Sequence, residues 1–177
     1  MKKEILLTPG PSQVPPAASE VAARPIIHHR SKDFRPILAR VFQNLKPVFG
    51  TKNDVFVLSS SGTGAMEACV VNTLSAGDTV IVGVTGKFGE RYSQICKAYG
   101  VKVIEIVREW GDVVSAADVE KALSEHPEVK AVFITHSETS TGVMHRLDEI
   151  GAVTKKSKAL LIVDTISALG GLEMRMD

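Results

Sequence analysis

From residue 54 onward, short runs of branched apolar residues alternate with helix-patterned stretches, and nothing else in the chain limits the possible folds so strongly. The runs are DVFVLSS at 54–60, DTVIVGV at 78–84, VKVIEIV at 101–107, KAVFITH at 130–136 and ALLIVDT at 159–165. Between them, apolar residues recur at helical spacing near 63–75, 87–99, 115–125 and 146–157. A run with no polar face needs cover on both sides, and strand followed by helix, repeated, supplies that cover to a parallel sheet. The expected fold is α/β: a mostly parallel sheet with helices on both faces. Ser115, followed three residues later by Asp118, marks one helix start of the capping-box type.

Ahead of the alternation the texture differs. TPGPSQVPPAASEVAARP, residues 8–25, holds five of the eight prolines, which deny a continuous helix and predict an extended arm over 1–25. Phe34, Ile37, Leu38, Val41, Phe42, Leu45 and Val48 then fall at helical spacing. Pro36 is tolerable in a first turn and Gly50 is a natural stop. The expected division is an arm over 1–25 and a ligand-binding domain over 26–177.

Composition narrows the functional classes. With 44% apolar residues in 177, the chain can fill one core of ordinary domain size. Its net charge is +1, and lysines and arginines are interleaved with acids, so no basic stripe for nucleic acid exists. Lys155, Lys156 and Lys158 read as the solvated end of a helix. Cys69 and Cys96 fall in helical patterns without metal-type spacing, as thiols in a reducing compartment do. MKKEILL is too short for a signal peptide, and no apolar run is long enough to span a membrane. The expected address is cytoplasmic, with no metal. His28 and His29 are adjacent without an acid cluster, and His136 with Glu138 lacks the cysteine pair of a zinc deaminase.

In an open parallel sheet, ligands sit beyond the carboxyl ends of the strands. Here those ends read SSSGTG, GVTGKFG, THSETSTG and VDTIS, all rich in Gly, Ser and Thr. The first is not a dinucleotide fingerprint, because Glu67 stands where the third glycine is needed. Nor does a P-loop fit: Lys87 is followed by Phe88, and Ile81 replaces the first glycine. The nucleophile elbow is absent around Ser59, Ser60 and Ser61. What remains is a helix start with free N–H groups, a favourable dipole, and the hydroxyls of Ser61 and Thr63, which suits one phosphate group. A turn without a ligand would show the same composition.

Asp164 closes the run LLIVD. A carboxylate at the end of so apolar a strand costs free energy unless a cation or donors meet it. It could cap the next turn through Thr165 and Ser167. Yet a phosphate cup at one strand end and an acid at another together match pyridoxal 5'-phosphate, which has a phosphate to anchor, a ring nitrogen whose proton an acid must hold, and an aromatic face to cover.

LLTPGPSQVPP, SSSGTGAMEA, GKFGERY, THSETSTGV and LIVDTISALGG, in this order, resemble the class V aminotransferases of pyridoxal phosphate fold type I, and among them the serine–pyruvate and alanine–glyoxylate group. The resemblance runs from Leu6 to Gly171. It implies that Ser61, Gly62 and Thr63 hold the cofactor phosphate, that Phe88 stacks on the ring, and that Thr139 lies beside the ring's polar substituents. Asp164 would pair with the pyridine nitrogen, Ile166 would pack near the ring's other side, and the arm at Gly10 would approach the substrate. Where some relatives place histidine and tryptophan, this chain has Thr63 and Phe88.

The implied reaction moves an amino group from serine, alanine or aspartate to pyruvate or glyoxylate, in a homodimer; 2-aminoethylphosphonate is a donor of other relatives. The resemblance also implies that the chain is the amino-terminal part of such an enzyme. The family's Schiff-base lysine lies beyond Asp177, and the fragment alone is expected to be inactive. Two other readings stay open: a phosphate-ligand-binding α/β domain, and a noncatalytic fragment pairing with a full-length subunit.

Overall fold

The structure is a computed structural model and describes residues 5–177. It divides into two compact units, one made of residues 5–57 with Glu173–Asp177, the other of Leu58–Leu172.

In the first unit, α1 spans Pro16–Ala22 and α2 spans Phe34–Phe49. Instead of a wholly extended arm, the proline-rich stretch forms a two-turn helix. Pro15 at the cap and Pro16 at the first position lack only N–H groups that a helix start leaves unbonded anyway. The predicted stop at Gly50 is present: its φ of 61° is left-handed, and a β-carbon there would collide with the Met174 carbonyl. Asp177 fastens this end, accepting from Thr51 Oγ1 at 2.5 Å and from the Lys52 N–H at 2.8 Å.

The second unit carries the alternation. Its elements are α3 (Gly62–Thr73), β1 (Thr79–Val84), α4 (Lys87–Ala98), β2 (Lys102–Val107), α5 (Ala116–Glu125), β3 (Ala131–Thr135), α6 (Leu147–Thr154) and β4 (Leu160–Asp164). All pairings are parallel and the strand order is β2-β1-β3-β4. Four of the five apolar runs thus form strands. The exception is 54–60, which makes no strand, and Phe56 is 83% exposed. A strand exists only through a neighbour's hydrogen bonds, and among the described residues this run pairs with none.

Period-two alternation sorts the strand side chains into two apolar layers. Val80, Val82, Val84, Ala131 and Phe133 meet Met66 and Val70 of α3 and Tyr92 and Cys96 of α4. Ile81, Val132 and Ile134 meet Val119 and Ala122 of α5 and Ile150 of α6. Each such fully buried large side chain contributes about 1.5–3 kcal/mol. The step from β1 to β2 uses a helix on the first layer, whereas the steps from β2 to β3 and from β3 to β4 use helices on the second. A single crossover hand dictates that arrangement when the strand order reverses. The reversal lies between β1 and β3, where a doubly wound sheet opens a crevice beyond its strand ends. The Ser115–Asp118 capping box is formed in both directions. No helix among the described residues is long and apolar enough to cross a membrane.

Candidate functional site

The start of α3 is built as its composition predicts. Ser61 is the N-cap, and its Oγ accepts from the Gly64 N–H at 3.3 Å. Among the described residues no group accepts from the N–H groups of Gly62 and Thr63, which leaves two donors at the positive end of a twelve-residue helix. Glycine is needed here for space: a β-carbon on Gly62 would stand 2.5 Å from Ile166 Cδ1, and one on Gly64 would collide with Ser60 Oγ.

Asp164 ends β4, in register with Thr135 of β3. Sequence alone predicts it buried; among the described residues β4 pairs with β3 alone, and Asp164 is half-buried. Its Oδ1 accepts from the Ile166 N–H at 2.9 Å, a local turn of the kind the capping reading expects. Among the described residues no cation forms an ion pair with it. Burial raises its pKa above the ordinary 3.8; the Ile166 hydrogen bond lowers it, the negative charge of Glu138 raises it, and Arg91 lowers it. The carboxylate is thus held in a place where a positive partner would stabilise it.

Phe88 lies in the first turn of α4, half-buried. Gly86 has no side chain to cap this helix, and the capping comes from the loop after β3. Glu138, fully buried, accepts from the Phe88 N–H at 3.1 Å and the Gly89 N–H at 3.2 Å. Ser140 donates to it from Oγ at 2.7 Å and from its N–H at 3.2 Å, and Ser140 Oγ accepts from the Lys87 N–H at 3.0 Å. One turn further along α4, Arg91 donates from Nη1 to Thr63 Oγ1 at 3.0 Å, with its guanidinium 5.0 Å from the Phe88 ring centroid. Thr139 Oγ1 and Ser167 Oγ share a hydrogen bond of 2.5 Å.

These contacts join the expected site residues of this unit into one array. Ser61, Gly62 and Thr63 reach Phe88 through Arg91, and reach Asp164 through Ile166; Thr139 reaches the Asp164 turn through Ser167. Ile166 is 62% exposed, with its tip over Gly62. Gly10 belongs to the other unit, where a β-carbon on it would meet nothing within 4 Å.

Behind the array, at the end of β3, His136 and His145 are buried, and burial lowers the pKa of both. The 2.7 Å contact from His145 Nδ1 to the Thr135 carbonyl places the proton on Nδ1. Among the described residues, no hydrogen-bond partner meets His145 Nε2, His136 Nδ1 or Thr135 Oγ1.

The donor set fits pyridoxal phosphate at both ends: two unbonded helix N–H groups at one, a carboxylate without a counter-ion at the other, and an aromatic plate within the array. Sequence reasoning missed Arg91 and Glu138. Arg91 stands three residues after Phe88, a spacing that shares a helix face. Glu138 is an acid inside an otherwise neutral strand-end loop, noticed only as half of a deaminase motif.

The family model for class-V aminotransferases matches residues 16–177. An uncharacterized aminotransferase of Methanocaldococcus jannaschii is 43% identical over 99% of this chain and 46% of its own length. The alanine–glyoxylate aminotransferase of Rattus norvegicus is 35% identical over 99% of this chain and 42% of its own. The crystal structure of ureidoglycine–glyoxylate aminotransferase from Bacillus subtilis superposes with a TM-score of 0.92 at 30% identity, covering 96% of this chain and 44% of that one. The chain therefore spans under half the length of the curated relatives it matches.

Proposed function

The chain belongs to the class-V aminotransferase family, and from that premise we propose that the protein it represents is a pyridoxal-phosphate-dependent aminotransferase. It takes an amino group from a small amino acid (serine, alanine or aspartate) and gives it to pyruvate or glyoxylate. The observation that carries this reading is the pairing of two ends, the open N–H groups of Gly62 and Thr63 and the half-buried Asp164 with no ion-pair partner among the described residues, joined through Ile166. A ligand recognised by its phosphate alone would leave the Asp164 carboxylate, whose role would then be the Ile166 turn, without a positive partner.

When bound, the cofactor supplies an electron-accepting ring and the aldehyde that receives the amino group. The residues of this chain divide the remaining work. The α3 start and the hydroxyls of Ser61 and Thr63 bind the phosphate dianion through backbone donors and the helix dipole. Asp164 would hold a proton at the pyridine nitrogen of the bound cofactor. By the same resemblance Phe88 would cover the ring and exclude water, Ile166 would pack near its other side, and Thr139 would lie beside its polar substituents. Gly10 is assigned to the substrate pocket by the resemblance alone.

A homodimer and a cytoplasmic address belong to the same proposal. The test is a panel of serine, alanine, aspartate and 2-aminoethylphosphonate as donors against pyruvate and glyoxylate, on the whole protein with saturating cofactor. Keto-acid formation from one of the first three donors supports the reading. A protein that takes up pyridoxal phosphate but transfers no amino group refutes the transamination.

A further inference from the structure

Glu138 is a carboxylate with no exposed surface and, among the described residues, no ion-pair partner, a state that costs several kcal/mol unless donors compensate. Four donor groups do so: the N–H groups of Phe88, Gly89 and Ser140, and the Ser140 hydroxyl. Two of these N–H groups belong to the first turn of α4, so the charge also lies at the positive end of that helix. A serine or aspartate at position 86 would cap α4 just as well and locally. The chain instead has Gly86, and a β-carbon there would stand 2.6 Å from Glu138 Cγ and 2.7 Å from Cδ. Position 86 is left empty where the carboxylate has to pass.

A cap brought from fifty residues away does something that a local cap does not. It spans the gap between the loops after β1 and β3, where the strand order reverses. It thereby fixes Phe88, on α4, relative to Thr139, the neighbour of Glu138. Both are residues that the cofactor reading places against the ring. Resting on that reading, we propose that Glu138 is a positioning residue: its buried carboxylate sets the height and tilt of Phe88 over the cofactor ring.

The experiment uses the whole protein as wild type, Glu138→Gln and Ser140→Ala. Pyridoxal phosphate affinity is measured by fluorescence titration, the circular dichroism of the bound cofactor is recorded at saturation, and hydrogen exchange is followed at the Phe88 and Gly89 amides without cofactor. Glutamine keeps one acceptor oxygen but turns an NH2 toward N–H donors. Glu138→Gln should weaken binding about tenfold, the equivalent of one charge-assisted hydrogen bond. It should also change the cofactor dichroism per bound molecule and speed exchange at both amides. If Glu138→Gln does not fold, Ser140→Ala carries the test, since it removes only the hydroxyl between Glu138 and Lys87; a weaker shift of the same three signals is expected. Faster exchange with unchanged affinity and dichroism reduces Glu138 to a helix cap and overturns the proposal, as does unchanged exchange. A wild type that takes up no pyridoxal phosphate refutes the cofactor reading, and the positioning role with it. Uptake by the wild type with no effect of the substitutions refutes the positioning role alone.

Discussion

Ile166 leans over Gly62 so closely that a β-carbon on the glycine would stand 2.5 Å from its Cδ1. This contact brings the turn after β4 onto the start of α3, although about a hundred residues separate them, and it places Asp164 at the same strand-end edge as the phosphate-binding candidates.

Asp164→Asn should separate stability from binding. The amide still accepts from the Ile166 N–H but carries no charge, so the cofactor-free variant should melt slightly higher at neutral pH. Its affinity for pyridoxal phosphate should drop about a hundredfold, as happens when one partner of a desolvated charge pair is lost. Calorimetry and a binding titration on the same samples check both signs.

The wild type should lose cofactor affinity on acidification. Burial raises the Asp164 pKa above 3.8, so the folded chain holds this proton more tightly than the unfolded chain does. This group therefore favours the fold below 3.8, and that contribution disappears as pH rises through the folded value. Attraction for a protonated ring nitrogen runs the other way, weakening as pH falls through the folded value. Dissociation constants measured from pH 7 downward should rise for wild type and show a smaller dependence for Asp164→Asn.

Gly89→Ala should be costly because the new methyl meets backbone. It would stand 2.5 Å from the Gly83 carbonyl oxygen and 2.9 Å from Val84 Cα. Prying α4 off β1 should cost about 1–3 kcal/mol in urea unfolding. Cofactor affinity should fall too, because Phe88 is the adjacent residue.

Arg91→Ala removes a hydrogen bond to Thr63 and a cation from the face of Phe88. At this exposed position a loss of about fivefold in cofactor affinity is expected. The loss should shrink at high salt, where the guanidinium charge is screened. Titrations at two ionic strengths decide this.

Ser115→Ala serves as a contrast remote from the array. The capping box pairs Ser115 Oγ with the Asp118 N–H at 3.2 Å and the Asp118 carboxylate with the Ser115 N–H at 2.9 Å. Its loss should cost about 1 kcal/mol, visible as a lower melting temperature with cofactor affinity unchanged.

Local pattern was enough to recognise this sheet. Four apolar runs became strands because each has a neighbour within the unit, and DVFVLSS failed because pairing is a property of two segments. Asp164 and the 61–63 turn stand out as candidates because each breaks an apolar pattern where a parallel sheet opens. Glu138 does not, since its meaning lies in the backbone of residues 88 and 89, and sequence spacing does not show which loop reaches which helix. Pro15 and Pro16 misled by number: counted, they argue against a helix, and placed, they begin one.

The loops after β1 and β3 depart toward opposite layers, one into α4 and the other toward α6. A cleft that arises from such parting is a by-product of how the chain is wound, with nothing scooped from the interior to make it. Filling or emptying it should therefore leave the packing around Val82 and Phe133 undisturbed, and sequence drift at the rim can retune the guest without renegotiating the foundations.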